Sequence, residues 1–71
     1  MRVYEYGTRA TTILGGIDGI VTAILIRFNS KIQYEFVYFH KGERYSEWVE
    51  ECELDFAHKA TTRNIGFKTG Q

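Results

Sequence analysis

The sequence predicts an all-β domain built as a short meander of antiparallel strands. Two runs rich in β-branched and aromatic residues, 20–28 and 31–40, follow each other with only a short polar turn between them. Lys41-Gly42-Glu43 has the composition of a hairpin loop, in which Gly42 supplies the positive φ angle that a tight turn needs. No long segment carries the hydrophobic period of an amphipathic helix, so we expect strands to dominate the fold.

The chain has 71 residues, and this length predicts one domain with a marginal core. A chain of this size buries only ~60% of the surface that it exposes when unfolded. One cysteine cannot form an internal disulfide, and no Cys/His cluster indicates a metal site. The core must therefore rest on β-branched residues and on the aromatic residues, which make up 15% of the chain.

The first half of the chain predicts an arm followed by two strands. Residues 1–6 form an arm or a short strand, and the threonine-rich segment 8–14 suits a first strand. A Gly-Gly pair and an Asp-Gly pair between residues 15 and 19 are turn signals. Segment 20–28 is apolar on both of its alternating sets, which favours a long, bent strand. A buried helix competes with this interpretation, but the many β-branched residues count against it.

The second half predicts a hairpin, a tight turn and a brief last strand. Segment 44–50 returns from the hairpin, and the acidic cluster 50–54 suits one turn of 3₁₀ helix. Leu54 and Phe56 would be the core residues of the last strand. Segment 31–40 places two sets of residues on opposite faces: Ile32, Tyr34, Phe36 and Tyr38 on one, and Gln33, Glu35, Val37 and Phe39 on the other.

This order of elements is typical of an SH3-like barrel. Four or five short antiparallel strands, one tight hairpin and a 3₁₀ bridge before the last strand would occupy residues 1–56. The OB-fold fits less well, because it normally places a helix between its third and fourth strands. Residues 57–71 would form a basic C-terminal tail that has no periodicity. Taken alone, such a tail is typical of a flexible segment, and the sequence does not say whether anything holds it.

Three motifs stand out within this predicted barrel. They are Gly-x-Val-x-x-Ile, Tyr-x-Phe-x-Tyr and Trp-Val-x-Glu-x-Glu-Leu, formed by Gly19, Val21 and Ile24, by Tyr34, Phe36 and Tyr38, and by Trp48, Val49, Glu51, Glu53 and Leu54. They resemble the motifs of small SH3-like proteins encoded by phages and prophages, over residues 8–56. The resemblance rests on residues that maintain a fold, so it transfers no catalytic or ligand-binding residue. It implies a phage or mobile-element origin, with virion assembly or host interaction as the expected role.

The formal net charge is zero, but the charges are unevenly distributed. Residues 41–55 carry six acidic side chains against two basic ones, whereas residues 56–71 carry three basic side chains and no acidic one. Solvated charges at a sheet edge and in a tail are the simpler interpretation. The alternative is a docking tail that binds an acidic surface, such as that of a neighbouring copy, through Lys59, Arg63, Ile65, Phe67 and Lys68.

The sequence contains no catalytic constellation, so we expect neither an enzyme nor a cofactor. His40 and His58 have no partner at a meaningful spacing, and with Cys52 they do not form a metal-binding motif. The glutamates around Cys52 make a poor setting for a nucleophilic thiol, which favours a half-buried structural thiol. Segment 16–19 matches a Gly-x-x-Gly loop, but its aspartate would repel phosphate, so a plain turn is the better interpretation.

The candidate interaction surface lies on the return strand and beside it. So many aromatic rings cannot all fit inside a small barrel, so some of Tyr4, Tyr6, Tyr45, Trp48 and Phe39 should remain partly outside it. Exposed rings often mark a partner surface. Packing of these rings beneath the two arms is the alternative. The acidic residues of this region would also block edge-to-edge pairing. The residues of the candidate surface are Trp48, Phe39, Tyr45, Glu47, Glu50 and Glu51.

These observations favour a non-enzymatic protein-interaction or assembly module that binds a protein partner or itself. The alternative is a nucleic-acid-binding protein that uses the basic tail and the aromatic surface. The zero net charge provides no broad positive field for that function. No membrane span, signal peptide or small-molecule site is evident in the sequence, so the host cytoplasm or the virion is the expected location.

Overall fold

The computed structural model describes residues 2–29, 31–57 and 60–64. Within these residues it contains seven strands and one turn of 3₁₀ helix. The strands are β1 (Arg2–Tyr4), β2 (Arg9–Thr12), β3 (Asp18–Ile26), β4 (Ile32–His40), β5 (Glu43–Glu50), β6 (Leu54–Phe56) and β7 (Thr62–Asn64), and the 3₁₀ helix is Glu51–Glu53. The predicted all-β class is confirmed.

Five of the strands form one antiparallel sheet in the order β5-β4-β3-β2-β6, and β1 pairs with β7 in a two-stranded ribbon. Among the described residues β5 and β6 do not pair with each other, so the sheet is not closed. The closed barrel of the prediction is therefore not confirmed. The meander, the hairpin and the 3₁₀ helix before β6 follow one another in the predicted order.

The core lies on one face of the five-stranded sheet, which we call the inner face. Its two largest members, Tyr34 and Phe36, are fully buried. Leu54 belongs to the same cluster, and Phe56 packs against it, as the sequence predicts. The strand register places all the buried members of the cluster on this face: Ala10, Val21, Tyr34, Phe36, Val49 and Leu54.

A β-bulge in β3 explains why that segment has no clean alternation. Val21 pairs with Phe36, whereas Ala23 pairs with Glu35, so Thr22 is an extra residue between them. The hydroxyl of Thr22 donates a hydrogen bond to Glu35 Oε1 at 2.8 Å. Because of the bulge, odd-numbered residues of β3 lie on the face of Phe36 before Thr22 and on the opposite face after it. The apolar residues of β3 therefore lie on both faces of the sheet.

Two glycines have particular conformational or steric roles. Lys41 and Gly42 both have positive φ angles, 52° and 81°, which defines a two-residue type I′ hairpin loop. The sequence predicts a turn at Gly19, but this residue lies in β3 beneath the ring of Phe36. A Cβ atom at Gly19 would lie 2.6 Å from Cζ of Phe36, so only glycine fits there.

The N-terminal arm is a short strand that covers part of the inner face. The ring of Tyr4 stacks on that of Phe56, with centroids 3.6 Å apart and planes 4° apart. The backbone N–H of Tyr4 donates to the hydroxyl of Tyr34 at 3.1 Å, and that hydroxyl donates to Glu51 Oε1 at 2.9 Å. Burial, as the largest cause, raises the pKa of Tyr34 to about 12.

Candidate interaction surface

The face of the sheet opposite the core, which we call the outer face, presents side chains of β3, β4 and β5. Residues that pair across antiparallel strands share a face, so the register assigns each side chain. Phe39 lies opposite Arg44, Val37 opposite Ser46, and Glu35 opposite Trp48. Ile20 extends the same row of residues from Val37 into β3.

Large apolar side chains are exposed on this face. Phe39 is 69% exposed and Trp48 is 51% exposed, while Val37 between them along the sheet is only 3% exposed. Val37 lies on the outer face and is nevertheless buried. We call Ile20, Val37, Phe39 and Trp48 the outer aromatic patch.

Charged side chains surround the outer aromatic patch. Arg44 provides a cation opposite Phe39, and Glu35 provides a carboxylate opposite Trp48. Glu50 follows on the same face of β5 and forms an exposed salt bridge with Lys31 at 3.4 Å. An exposed pair of this kind contributes little to stability, so both side chains can rearrange when a partner binds.

A second exposed group lies at the hairpin end, around two tyrosines of the inner face. The rings of Tyr38 and Tyr45 stack with centroids 5.4 Å apart. Together with Ile17, Phe39 and His40 they line a cleft of about 260 Å³. The hydroxyl of Tyr45 donates to Glu43 Oε2 at 3.1 Å, which orients this ring at the hairpin end.

The predicted interaction surface is therefore divided among three places. Trp48, Phe39 and Glu50 lie on the outer face, whereas Tyr45 and Glu47 are on the inner side of β5. Glu51 is exposed, but it lies in the 3₁₀ helix, where Oε1 accepts the Tyr34 hydroxyl hydrogen bond.

The acidic cluster has internal partners as well as solvent contact. The backbone N–H of Glu50 donates to Glu53 Oε2 at 2.6 Å, so Glu53 caps the 3₁₀ helix. Cys52 in this helix is exposed, which corrects the predicted half-buried thiol. None of the three residues of this helix is buried, so Cys52 shares the exposure of its neighbours.

Only Arg63 of the predicted docking tail lies within the described residues. It is in β7, opposite Val3 of β1, and it forms a salt bridge with Glu5 at 3.1 Å. This contact docks part of the tail on an acidic group of its own chain. The other predicted tail residues, Lys59, Ile65, Phe67 and Lys68, lie outside the described residues.

The sequence reasoning missed an exposed apolar loop between β2 and β3. Leu14 is 88% exposed, and Ile13 and Ile17 are exposed beside it. The predicted strand 8–14 ends earlier, at Thr12, because Thr12 closes the loop: its hydroxyl accepts the Ile17 N–H at 2.9 Å. The Gly-Gly pair that follows Leu14 is the signal for this early ending.

Within residues 2–29, 31–57 and 60–64, we find no group of side chains arranged for catalysis or metal binding. His40 is at the hairpin end and Cys52 is in the 3₁₀ helix beyond the other end of β5, so they do not form a pair. His58 lies outside the described residues. No group of three His, Cys, Asp or Glu side chains in these ranges is arranged to hold a metal ion. The expectation that the protein is not an enzyme stays a prediction.

Comparisons with family models, curated proteins and solved structures find no match to this chain. In the part of the chain that the structure describes, no helix is long and apolar enough to cross a membrane.

Proposed function

We propose that this protein is a non-enzymatic interaction module that binds another protein through the outer aromatic patch. We propose further that it derives from a phage or prophage and acts in virion assembly or in binding a host protein, in the host cytoplasm or the virion. The phage origin is supported by the resemblance of the three strand motifs alone. The protein-binding role is supported by the geometry of the outer face.

The observation that carries the proposal is the exposure of Phe39 and Trp48 on either side of a buried Val37 on the outer face. Such a patch places rings that can contact a partner beside an apolar residue that is already desolvated. Trp is enriched among the residues that dominate binding energy, and such residues cluster in the centre of an interface. A polar rim like that formed by Arg44, Glu35 and Glu50 is the usual surrounding of an interface centre.

The charges of this rim favour a protein partner over nucleic acid. A base stacked on Trp48 would bring its phosphates close to Glu35 and Glu50, which lie on the same face. Neutralisation of phosphates is the main source of nucleic-acid affinity, so these carboxylates oppose binding. A protein partner with its own basic and apolar groups meets no such penalty.

The test compares two double variants that each remove two exposed apolar rings. Phe39→Ser with Trp48→Ser removes the patch, and Tyr6→Ser with Phe28→Ser is the control, because both of its rings are exposed elsewhere. Immobilised wild type and both variants are incubated with a lysate of the source organism, and captured proteins are quantified by mass spectrometry. We then measure the affinity of each enriched protein, purified, by calorimetry.

The expected result is one or a few proteins that wild type and the control variant bind equally and that the patch variant binds at least ~10-fold more weakly. Equal binding by the patch variant would contradict the proposal. A fluorescence-anisotropy titration with oligonucleotides at low salt is run in parallel. Binding there that is sensitive to salt and is lost in the patch variant would favour the nucleic-acid alternative instead.

A further inference from the structure

The strand β5 lies at one end of the sheet formed by the described residues, and it is eight residues long. The type I′ loop makes His40 and Glu43 a hydrogen-bonded pair. Since bonding alternates along an antiparallel strand, every second residue of β5 directs its backbone groups to β4. The others direct them to the edge that pairs with no described strand: Arg44, Ser46, Trp48 and Glu50.

We infer that this edge pairs with β5 of a second copy in an antiparallel arrangement, with Ser46 on the two-fold axis. The inference rests on the proposed protein-interaction function and specifies one partner for it, a second copy of this chain. A two-fold axis perpendicular to the sheet keeps the inner face of one copy beside the inner face of the other. Only registers that pair residues of the same face are therefore possible.

The side-chain charges select among the three central registers. With Glu47 on the axis, it would face the partner's Glu47 in a non-hydrogen-bonded pair, where opposite side chains are closest. Arg44 would then face the partner's Glu50, but Glu50 already pairs with Lys31 and its N–H already bonds Glu53, so this attraction gains little. With Tyr45 on the axis, Glu43 would face the partner's Glu47 twice. Like charges directly opposite each other destabilise a strand pair, so both registers are disfavoured.

The register centred on Ser46 has no such conflict. It places Arg44 opposite the partner's Trp48, twice by symmetry, where the guanidinium can lie against the indole ring. It places Tyr45 opposite the partner's Glu47, and two small serine side chains meet on the axis. The edge-directed groups of Arg44, Ser46 and Trp48 then form about six backbone hydrogen bonds between the copies.

The same register joins the two outer aromatic patches. Phe39 lies opposite Arg44 within one copy, and Arg44 lies opposite the partner's Trp48, so one row of side chains crosses the interface. Charged residues on an edge strand usually prevent pairing. Here they exclude the wrong registers, because Glu47 meets a tyrosine when Ser46 is on the axis.

The test uses charges at the proposed axis. Sedimentation velocity measures the oligomeric state of wild type, Ser46→Glu, Ser46→Lys and an equimolar mixture of the two variants. We expect a wild-type dimer, an affinity weakened at least ~10-fold in each variant alone, and recovery of a dimer in the mixture, since like charges on the axis become opposite charges. Phe28→Glu and Phe28→Lys are the matched controls and should leave the dimer unchanged. Circular dichroism confirms that each variant is folded.

The inference is overturned if wild type stays monomeric at about millimolar concentration, if either Ser46 variant alone dimerises like wild type, or if the mixture does not recover the dimer. If wild type is monomeric but the patch variant still fails to bind a captured protein, the dimer is wrong and the proposed function stands. If wild type forms a dimer that depends on the charge at position 46, but the patch variant binds every captured protein like wild type, the dimer stands and the proposed function is wrong.

Discussion

The aromatic residues of this chain have two different environments on the two faces of one sheet. On the inner face Tyr34 and Phe36 are fully buried, and Tyr4 and Phe56 complete their surroundings. On the outer face Phe39 remains exposed, although it follows Phe36 by only three residues in the same strand. The inner face differs because β1 packs its own Tyr4 ring against it.

This difference separates the residues that stabilise the fold from those that are available to a partner. The centre of the inner face keeps Tyr34 and Phe36 inside the chain, whereas Tyr38 and Tyr45 at the hairpin end are partly exposed. Every buried side-chain polar atom among the described residues has a hydrogen-bond partner. The outer face leaves Phe39 mostly exposed and Trp48 half exposed, so these rings add less to the stability of the monomer. Substitutions on the two faces should therefore have very different effects on unfolding.

The largest expected effect is the difference in the free energy of unfolding between two single variants, one that removes a ring of the inner face and one that removes a ring of the outer face. Phe36→Ala should lower the free energy of unfolding by about 3–5 kcal/mol, because it leaves a cavity in the fully buried core. Phe39→Ala should change it by less than about 0.5 kcal/mol, since its ring is mostly exposed. Urea unfolding followed by tryptophan fluorescence measures both. Similar losses for the two variants would show that the outer face also belongs to the core.

A smaller effect is expected from the hydroxyl that ties β1 to the core. Tyr34→Phe removes the acceptor of the Tyr4 N–H and the donor to Glu51, at a buried position. We expect a loss of about 1–2 kcal/mol. Tyr45→Phe is the matched control on the exposed hairpin end, where only the contact with Glu43 is lost. An unchanged midpoint of urea unfolding in Tyr34→Phe would mean that the hydroxyl does not hold β1.

The same hydroxyl predicts a dependence of stability on alkaline pH. Folding raises the pKa of Tyr34 from 10.0 to about 12, so the folded protein retains the proton that the unfolded chain loses first. The contribution is fully present below pH 10.0 and decreases as the pH rises from there to about 12. Tyr34→Phe should be less sensitive to pH across this window than wild type. Parallel pH profiles for the two proteins would contradict the prediction, because other groups titrate in both.

Local patterns predicted most elements of this fold. The aromatic run of β4, the Lys-Gly loop and the acidic 3₁₀ turn each carry their signal within a few neighbouring residues. The pairing of β1 with β7 was not predicted, because it joins Arg2 to Asn64 and three residues are too few for a periodic pattern. The bulge at Thr22 was also missed, since an extra residue leaves no signature in composition.

The candidate site was predicted in part. The sequence indicated that some of five rings would lie partly outside a small core, and of these Tyr6, Phe39, Trp48 and Tyr45 are exposed, whereas Tyr4 packs against the core. It grouped Tyr45 with Phe39 and Trp48, although Tyr45 lies on the other side of β5. The two-residue loop fixes the register of the whole hairpin, so counting residues outward from Lys41-Gly42 is enough to separate the two sides of β5. Whether any of these residues binds a partner stays a prediction.

The smallest expected effect concerns the ion pair that joins the β1–β7 ribbon to its own turn. The Arg63 and Glu5 side chains are 72% and 39% exposed, so their attraction is screened by solvent. A double-mutant cycle with Glu5→Gln and Arg63→Gln should give a coupling of about 0.2–1 kcal/mol, and it should decrease in high salt. Val3, which pairs with Arg63 and is buried, offers the contrast: Val3→Ala should cost more than either charge substitution. A coupling energy larger than the Val3→Ala loss would show that the ion pair, and not the burial of β1, holds the ribbon on the inner face.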